Sequence, residues 1–175
     1  DANFLQLPHP LKGLQRLAEK HRERFDVPVI GITGSNGKTI VKEWLYQLLS
    51  PERIITRSPR SYNSQIGVPL SVWLMNESTE LGIFEAGISE MGEMEALQSI
   101  IRPSIGVLTN IGGAHQENFY SVEDKCIEKL ALFKDCDVVI YDGDNELISR
   151  CISKSLFSAR EIAWSRKDSE RPLYI

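Results

Sequence analysis

The apolar residues of the chain fall into short continuous runs that alternate with segments of helical spacing. Continuous runs are typical of strands buried on both faces, whereas apolar residues three or four positions apart are typical of helices. The pattern predicts strands over residues 27–33, 53–56, 81–85, 105–109, 138–141 and 161–164. It predicts helices over residues 38–49, 69–75, 90–101, 121–133 and 146–156. Strands that alternate with helices on short connections indicate an α/β fold with a mostly parallel sheet flanked by helices.

Residues 1–26 are predicted to be a linker with a connecting helix, and residues 27–175 a single domain. Leu11, Leu14 and Leu17 form an apolar face on the connecting helix, and its last turn is basic. In the helix over residues 38–49, the predicted buried face is Ile40, Val41, Trp44, Leu45 and Leu48.

A glycine-rich turn, GITGSNGKT, connects the first predicted strand to the helix over residues 38–49. Such a turn aims backbone N–H groups and a helix N-terminus at one point, which suits a polyphosphate. Lys38 would place a charge on the outer phosphates, and the Thr39 hydroxyl would be a Mg²⁺ ligand. The usual phosphate-loop pattern needs a glycine where Ile32 stands, so the spacing is a variant. A chance GKT among glycines is the alternative, and the strand–turn–helix context disfavours it.

Polar residues follow two other predicted strands where those strands end. Glu85 ends one strand, and Asn110 and His115 follow another. Ligands of parallel sheets collect at the carboxyl ends of the strands, so we expect these residues beside the glycine turn. Glu85 is either an isolated charge or a Mg²⁺ ligand, and the nearby phosphate loop favours the ligand. A loop histidine is most often only solvated, so the case for His115 depends on this neighbourhood.

Lys129 falls on the apolar side of the helix predicted over residues 121–133. At about 100° per residue from Val122 it lies near roughly 340°, between Leu132 at about 280° and Phe133 at about 20°. One reading is a lysine that extends its stem to reach solvent. The other is a lysine that faces the site, where a lowered pKa would make its amine reactive. Spacing alone does not decide between the two.

Composition narrows the class of protein. The 175 residues are 42% hydrophobic, enough for one core, and the net charge of -4 argues against sequence-independent binding to nucleic acid. Cys126, Cys136 and Cys151 have no metal-binding spacing, so we expect reduced thiols in a cytoplasmic protein. No membrane span or signal peptide is recognisable. The chain starts without Met, which suggests a piece of a longer protein.

The chain resembles a known family at several separated places. GITGSNGKT is similar to the ATP loop of the Mur ligases and of the related folylpolyglutamate synthases, which share this departure in glycine spacing. YNSQIGVPLS, FEAGISEMGEM, TNIGGAHQENF and KCIEKLALF continue the resemblance with the spacing of a Mur ligase central domain. The resemblance covers nearly the whole chain. It implies a P-loop NTPase-like, ATP-binding central domain, with the family's N-terminal UDP-binding and C-terminal domains absent from these residues.

The resemblance also implies roles for individual residues. ATP contacts are expected from Gly34, Ser35, Asn36, Gly37, Lys38, Thr39, Asn63 and Asn110. Mg²⁺ ligands are expected from Thr39, Glu85, His115 and, if its amine carries CO₂ as a carbamate, Lys129. Catalytic roles are expected for Lys38, Lys129 and His115. Two places depart from the family: Ser64 replaces a second asparagine, and the usual N-x-D-D turn reads Asp142-Gly-Asp-Asn145.

The implied activity is ATP- and Mg²⁺-dependent amide ligation in peptidoglycan precursor synthesis. YNSQIGVPLS and EAGISEMGE most resemble the family members that add D-Ala-D-Ala to UDP-N-acetylmuramoyl-tripeptide through an acyl phosphate. The chain also resembles the members fused to an alanine racemase, although no segment here indicates a racemase. We expect a monomer that is inactive as an isolated domain. The alternatives are a folylpolyglutamate synthase-like ligase and a non-catalytic phosphate-loop module; the guanine signature N-K-x-D is absent, which counts against a GTPase.

Overall fold

A computed structural model of the chain describes residues 6–113, 116–155 and 158–175. The helices are α1 Pro10–Arg22, α2 Lys38–Leu49, α3 Gly67–Val72, α4 Glu93–Ile101, α5 Val122–Leu130 and α6 Glu146–Lys154. The strands are β1 Val29–Thr33, β2 Ile55–Arg57, β3 Leu81–Glu85, β4 Ile105–Leu108, β5 Val138–Asp142, β6 Arg160–Ser165 and β7 Leu173–Tyr174. The predicted alternation of strands and helices is confirmed, and β7 is an addition to it.

The seven strands form one sheet in the order β2-β3-β1-β4-β5-β6-β7. Every neighbouring pair is parallel, so the sheet is more uniform than the mostly parallel one predicted. From β1 the chain goes to β2 and β3 on one side, and then crosses to β4 on the other. This reversal beside β1 is the place where open parallel sheets bind their ligands, outside the carboxyl ends of the strands.

Helices cover the two faces of the sheet unequally. Val41, Leu45 and Leu49 of α2 pack on one face, against an apolar cluster that includes Ile32 and Ile83. The other face belongs to a larger cluster with side chains from the remaining five helices. Since both faces of β1 and β3 are covered, every residue of these two strands is buried.

The predicted buried face of α2 is partly wrong. Ile40, Trp44 and Leu48 are 56%, 63% and 74% exposed, whereas Lys42 is fully buried. Two parallel stripes of apolar residues run along α2, and the sequence pattern cannot tell which one faces the sheet. The inner stripe is the one that begins at Val41, and it brings Lys42 inward to a buried carboxylate.

The first helix is packed into the domain. α1 contacts α3 and α4, and Ala18 is completely buried. Arg22, at the end of α1, donates hydrogen bonds to the carbonyl oxygens of Ile101 at 3.0 Å and of Phe25. Because Ile101 ends α4, its carbonyl group has no hydrogen-bond donor within the helix, and Arg22 supplies that donor.

Local hydrogen bonds explain where the observed boundaries depart from the predicted ones. α4 begins at Glu93 rather than residue 90, because the Glu93 carboxylate accepts the backbone N–H groups of Ser89 and Glu90. Ser121 caps α5 as predicted, with its hydroxyl accepting from Asp124 N, and α5 passes into a 3₁₀ turn after Leu130. Within the described ranges, no helix combines the length and apolarity needed to cross a bilayer.

Candidate functional site

The loop between β1 and α2 has a backbone that requires glycine. Gly34 has φ +142° and Gly37 has φ +81°, both in the region that side chains disfavour. A Cβ atom on Gly34 would lie 2.0 Å from the Thr109 hydroxyl oxygen. The loop therefore passes close to the end of β4, and only glycine permits this approach.

Residues after β4 hold this loop in place. Ser35 N–H donates to Asn110 O, and Asn36 N–H donates to Asn110 Oδ1, both at 2.9 Å. The Thr109 hydroxyl donates to Asn36 O at 2.6 Å. Asn110, predicted as an ATP contact, is thus placed at the site, where its described bonds shape the phosphate loop.

The start of α2 presents N–H groups without intrahelical acceptors. Val41 N–H donates the first helical hydrogen bond, to Gly37 O, so the N–H groups of Gly37, Lys38 and Thr39 precede the helical ladder. Lys38 Nζ folds back over the loop and donates to Gly34 O at 2.7 Å. Burial lowers the pKa of Lys38, and the nearby Glu85 carboxylate partly offsets this effect. Positive charge and N–H donors therefore converge on one point, as an anion site requires.

Glu85 is fully buried at the end of β3, and its two oxygens have different surroundings. Oε2 accepts from the Thr39 hydroxyl at 3.0 Å and from Asn63 Nδ2 at 3.4 Å. Oε1 lies 2.9 Å from Lys42 Nζ, and no hydrogen bond to it is found among the described residues. The predicted metal ligands Thr39 and Glu85 are therefore in direct contact.

Lys42 lies behind Glu85, with its side chain completely buried. Its Nζ donates to Ser58 O at 2.8 Å and to Arg60 O, and lies 3.2 Å from the partly exposed Glu43 carboxylate. Arg60 has φ +49°, an unusual value for a residue with a side chain. Lys42 thus contacts both the buried acid and a loop with an unfavourable backbone conformation.

Lys129 reaches the same site from α5. Gly34, Lys38, Asn63, Gly87 and Lys129 are among the residues that line a cavity of about 150 Å³. Lys129 is 4% exposed, and no hydrogen bond or ion pair joins it to the described residues. Burial, and then the charges of Lys38 and Lys125, lower the pKa of Lys129 to about 8. Of the two sequence interpretations, the structure favours the lysine that faces the site.

Three other residues considered in the sequence have different outcomes. His115 lies outside the described residues. Asn63 is at the site, and its backbone oxygen accepts Gly87 N–H at 2.7 Å. The Asp144 carboxylate accepts from the Ser165 hydroxyl and from Arg166 N–H, so it joins the turn after β5 to the end of β6. A larger groove of about 470 Å³, lined by residues that include His21 and Met75, lies at the opposite edge of the sheet and contains none of this chemistry.

Comparison with known proteins identifies the family. The Mur ligase middle domain model matches residues 32–170. The chain belongs to the Mur ligase family. The UDP-N-acetylmuramoyl-tripeptide--D-alanyl-D-alanine ligase of Bacillus subtilis is 36% identical over 146 residues, which are 82% of this chain and 32% of that protein. The chain therefore spans about a third of the length of this curated relative.

Solved structures support the same fold. The Thermotoga maritima MurF ligase in complex with ADP superposes with a TM-score of 0.84 at 26% identity, over 96% of this chain and 40% of that one. A Mycobacterium tuberculosis folylpolyglutamate synthase superposes with a TM-score of 0.67 at 14% identity, over 91% and 47%. The second likeness shows the shared fold alone. The predicted α/β Mur ligase central domain is confirmed.

One buried residue at the site of this Mur ligase middle domain was not predicted from the sequence. Lys42 stands four residues after Lys38 and looks like any polar residue on an amphipathic helix. The available signal was its place in the inner stripe of α2, between Val41 and Leu45. A charged residue in an apolar stripe suggests a buried partner, but the pattern cannot name Glu85 as that partner.

Proposed function

We propose that the chain is the ATP-binding domain of an ATP-dependent, ADP-forming ligase of peptidoglycan precursor synthesis. The reaction would join D-Ala-D-Ala to UDP-N-acetylmuramoyl-tripeptide, as the name of the Bacillus subtilis relative states for that protein. The observation that carries the proposal is the convergence of the glycine loop, Lys38 and the Thr39–Glu85 pair at the carboxyl edge of β1 and β3. The ADP complex of the Thermotoga maritima relative supports a nucleotide as the ligand.

The loop residues would bind the phosphates of ATP. Free N–H groups from Gly37 to Thr39 would donate to phosphate oxygens, and Lys38 Nζ would leave Gly34 O to do the same. Asn110 and Thr109 would keep the loop in this shape. Because the backbone N–H donors are already oriented, only the Lys38 side chain would have to move when the nucleotide enters.

The donor set around Glu85 fits Mg²⁺. Thr39 and Glu85 offer hard oxygen ligands, and the Glu85 oxygen on the pocket side, Oε2, lies 3.0 Å from the Thr39 hydroxyl. The described residues contain no cluster of three or more His, Cys, Asp and Glu. Proteins often hold Mg²⁺ through one or two side chains together with substrate phosphates and water, and Thr39 and Glu85 would be such side chains. When bound there, Mg²⁺ would neutralise part of the phosphate charge.

The reaction would proceed in two transfers. The carboxylate of the tripeptide would take the γ-phosphoryl group of ATP, which gives an acyl phosphate and ADP. The amine of the dipeptide would then displace phosphate and form the amide. Lys38 and the N-terminus of α2 would offset the repulsion between the two anions and the charge that develops during transfer. Asn63, 3.4 Å from Glu85, would orient groups on the acceptor side.

We propose further that Lys129 carries CO₂ in the active enzyme. A neutral amine adds CO₂ and loses one proton, which replaces a buried cation with a carboxylate-like oxygen donor. The lowered pKa of Lys129, about 8, gives a larger neutral fraction at physiological pH than an exposed lysine has. A mass increase equal to one CO₂ on wild type, absent from Lys129→Ala, would support this. Restored activity of that variant in the presence of a short carboxylic acid would support it independently.

The remaining parts of the enzyme are also proposals. Separate UDP-binding and C-terminal domains would be needed for catalysis, since the chain spans about a third of its relatives. A metal-ligand role for His115, the monomeric state and the cytoplasmic location stay predictions.

The test is ATP turnover by the purified full-length ligase that contains this segment. We expect ADP release to require both UDP-N-acetylmuramoyl-tripeptide and D-Ala-D-Ala. Stimulation by a folate and glutamate would instead favour the folylpolyglutamate synthase alternative. Nucleotide binding with no turnover under any of these conditions would favour the non-catalytic module. Turnover at full rate by the 175 residues alone would contradict the need for further domains.

A further inference from the structure

The strongest unassigned feature of the molecule is the completely buried Lys42. Burying an ammonium group is unfavourable unless acceptors surround it, and here they do. Two backbone oxygens, of Ser58 and Arg60, accept from Nζ, and Glu85 Oε1 lies 2.9 Å away. Two of the three N–H donors of the ammonium group are thus used by backbone oxygens, and the carboxylates of Glu85 and Glu43 lie within ion-pair distance of it. A lysine whose ammonium group was solvated would not make these buried contacts.

The contacts of Lys42 divide the Glu85 carboxylate into two sides. Oε1 faces Lys42, whereas Oε2 faces the pocket and contacts Thr39 at 3.0 Å and Asn63 at 3.4 Å. A partial rotation of the carboxylate plane would move Oε2 away from the Thr39 hydroxyl and break that contact. The charge of Lys42 opposes that rotation, because it holds one oxygen from behind.

Lys42 also holds the loop that leads to Asn63. Arg60 is in the left-handed region with φ +49°, which a residue with a side chain adopts only when its surroundings require it. The Arg60 and Ser58 carbonyl groups accept from Lys42, and the Ser58 hydroxyl accepts from Glu85 N–H at 3.2 Å. One side chain on α2 therefore connects the end of β3 with residues 58–63.

We propose that Lys42 is a positioning residue for the metal side of the site. It fixes Glu85 so that Oε2 points toward Thr39, and it fixes residues 58–63 so that Asn63 reaches the same oxygen. This inference rests on the Mg²⁺–nucleotide site proposed above. Lys42 acts through Glu85 and the loop and does not itself touch the nucleotide.

The first test measures the loop in the 175-residue chain without any ligand. Hydrogen exchange followed by mass spectrometry is compared between wild type and Lys42→Met. We expect faster exchange in peptides that cover residues 58–63, and unchanged exchange in β5 and α6. Unchanged exchange at residues 58–63 would overturn the proposal. Uniformly faster exchange would also overturn it, because that is the result of general destabilisation.

A variant that removes both charges keeps this test decisive if Lys42→Met does not fold. Lys42→Met/Glu85→Gln leaves no buried charge without its partner. It is compared with Glu85→Gln alone, which keeps Lys42 and its two carbonyl acceptors. Faster exchange at residues 58–63 in the double variant supports the proposal, and equal exchange contradicts it.

The second test measures ADP affinity as a function of Mg²⁺ concentration. Loss of a positive charge near the site would by itself strengthen Mg²⁺ attraction, whereas misplacement of Glu85 would weaken it. If Lys42 positions Glu85, the Mg²⁺ concentration that gives half of the full ADP affinity rises about 10-fold or more in Lys42→Met. A lower or unchanged requirement overturns the proposal.

Glu43→Gln is the matched control, because it removes the other carboxylate beside Lys42, at 3.2 Å, and leaves the contacts of Lys42 with Glu85, Ser58 and Arg60 in place; the second described partner of Glu43 is Arg57. We expect its Mg²⁺ requirement to equal that of wild type. A wild-type chain whose ADP binding is absent or independent of Mg²⁺ would contradict the proposed function, not the role of Lys42. The exchange experiment would then still decide whether Lys42 holds the loop.

Discussion

Lys129→Met should stabilise the fold while it removes the amine for which we propose a function. The ammonium of Lys129 is buried, and this burial, followed by the charges of Lys38 and Lys125, lowers its pKa from 10.5 to about 8. At about 1.4 kcal/mol for each tenfold change, the charged form is destabilised by up to roughly 3 kcal/mol. Met keeps a similar volume without the charge, so the variant recovers most of that energy. For a chain of this size the gain corresponds to a melting temperature about 6 to 12 °C higher at pH 7.

The gain should disappear as the pH rises. Below pH 8, Lys129 is charged in both the folded and the unfolded chain, so the whole penalty is present. Between pH 8 and 10.5 the unfolded chain keeps the proton that the folded chain has released, so wild type gains stability relative to the variant. The difference between the two proteins should fall to about 1 kcal/mol at pH 10.

Denaturant or thermal unfolding in CO₂-free buffer between pH 7 and 10 measures both effects. Lys134→Met provides the control, since Lys134 is an exposed lysine just beyond α5 and should change stability by no more than about 0.5 kcal/mol. A Lys129→Met chain that is no more stable than wild type at pH 7 would refute the reasoning. A stability difference that does not change with pH would refute it equally, because the gain would then not come from the charge.

Three further substitutions probe the phosphate loop. Lys38→Ala should reduce ATP turnover of the full-length ligase at least about 100-fold with little change in melting temperature, and normal turnover would exclude Lys38 from catalysis. Gly34→Ala would place a Cβ 2.0 Å from the Thr109 hydroxyl, so we expect a loss of at least about 2 kcal/mol in unfolding free energy and no measurable nucleotide binding; wild-type values in both assays would contradict the close approach. Asn110→Ala removes the acceptor of Asn36 N–H and should weaken ADP binding about 10-fold in calorimetry, a change that an unaltered affinity would disprove.

The sequence predicted most accurately the elements that local chemistry determines. α2 spans Lys38–Leu49 and β3 spans Leu81–Glu85 as predicted, because glycine, proline and a strong apolar pattern mark their ends. The approach of Glu85 to the phosphate loop followed from a topological rule for parallel sheets. The loop and its nearest carboxylate could therefore be placed together without coordinates.

Features that depend on tertiary contacts could not be predicted from the pattern of hydrophobic residues. Trp44 is a large apolar residue of the kind expected in a core, but it is exposed. Which apolar stripe of α2 faces inward depends on where the sheet lies. Lys42 is buried because Glu85 and two carbonyl groups meet there, and these groups come from different segments of the chain. β7 has only two residues, too few to give any periodicity, and it exists because β6 offers a free edge.

The central position of β1 has a consequence for how the protein reaches its active form. The Thr33 hydroxyl bonds to Ala86 O, 53 residues further along the chain, and Thr109 bonds back to Thr33 O across 76 residues. Contacts over such separations form late, because closing long loops costs entropy before any contact repays it. The phosphate loop can adopt its shape only after these three segments have met. Partly folded chains should therefore not bind ATP. A bound nucleotide should protect the domain against global unfolding and have little effect on fraying of its ends.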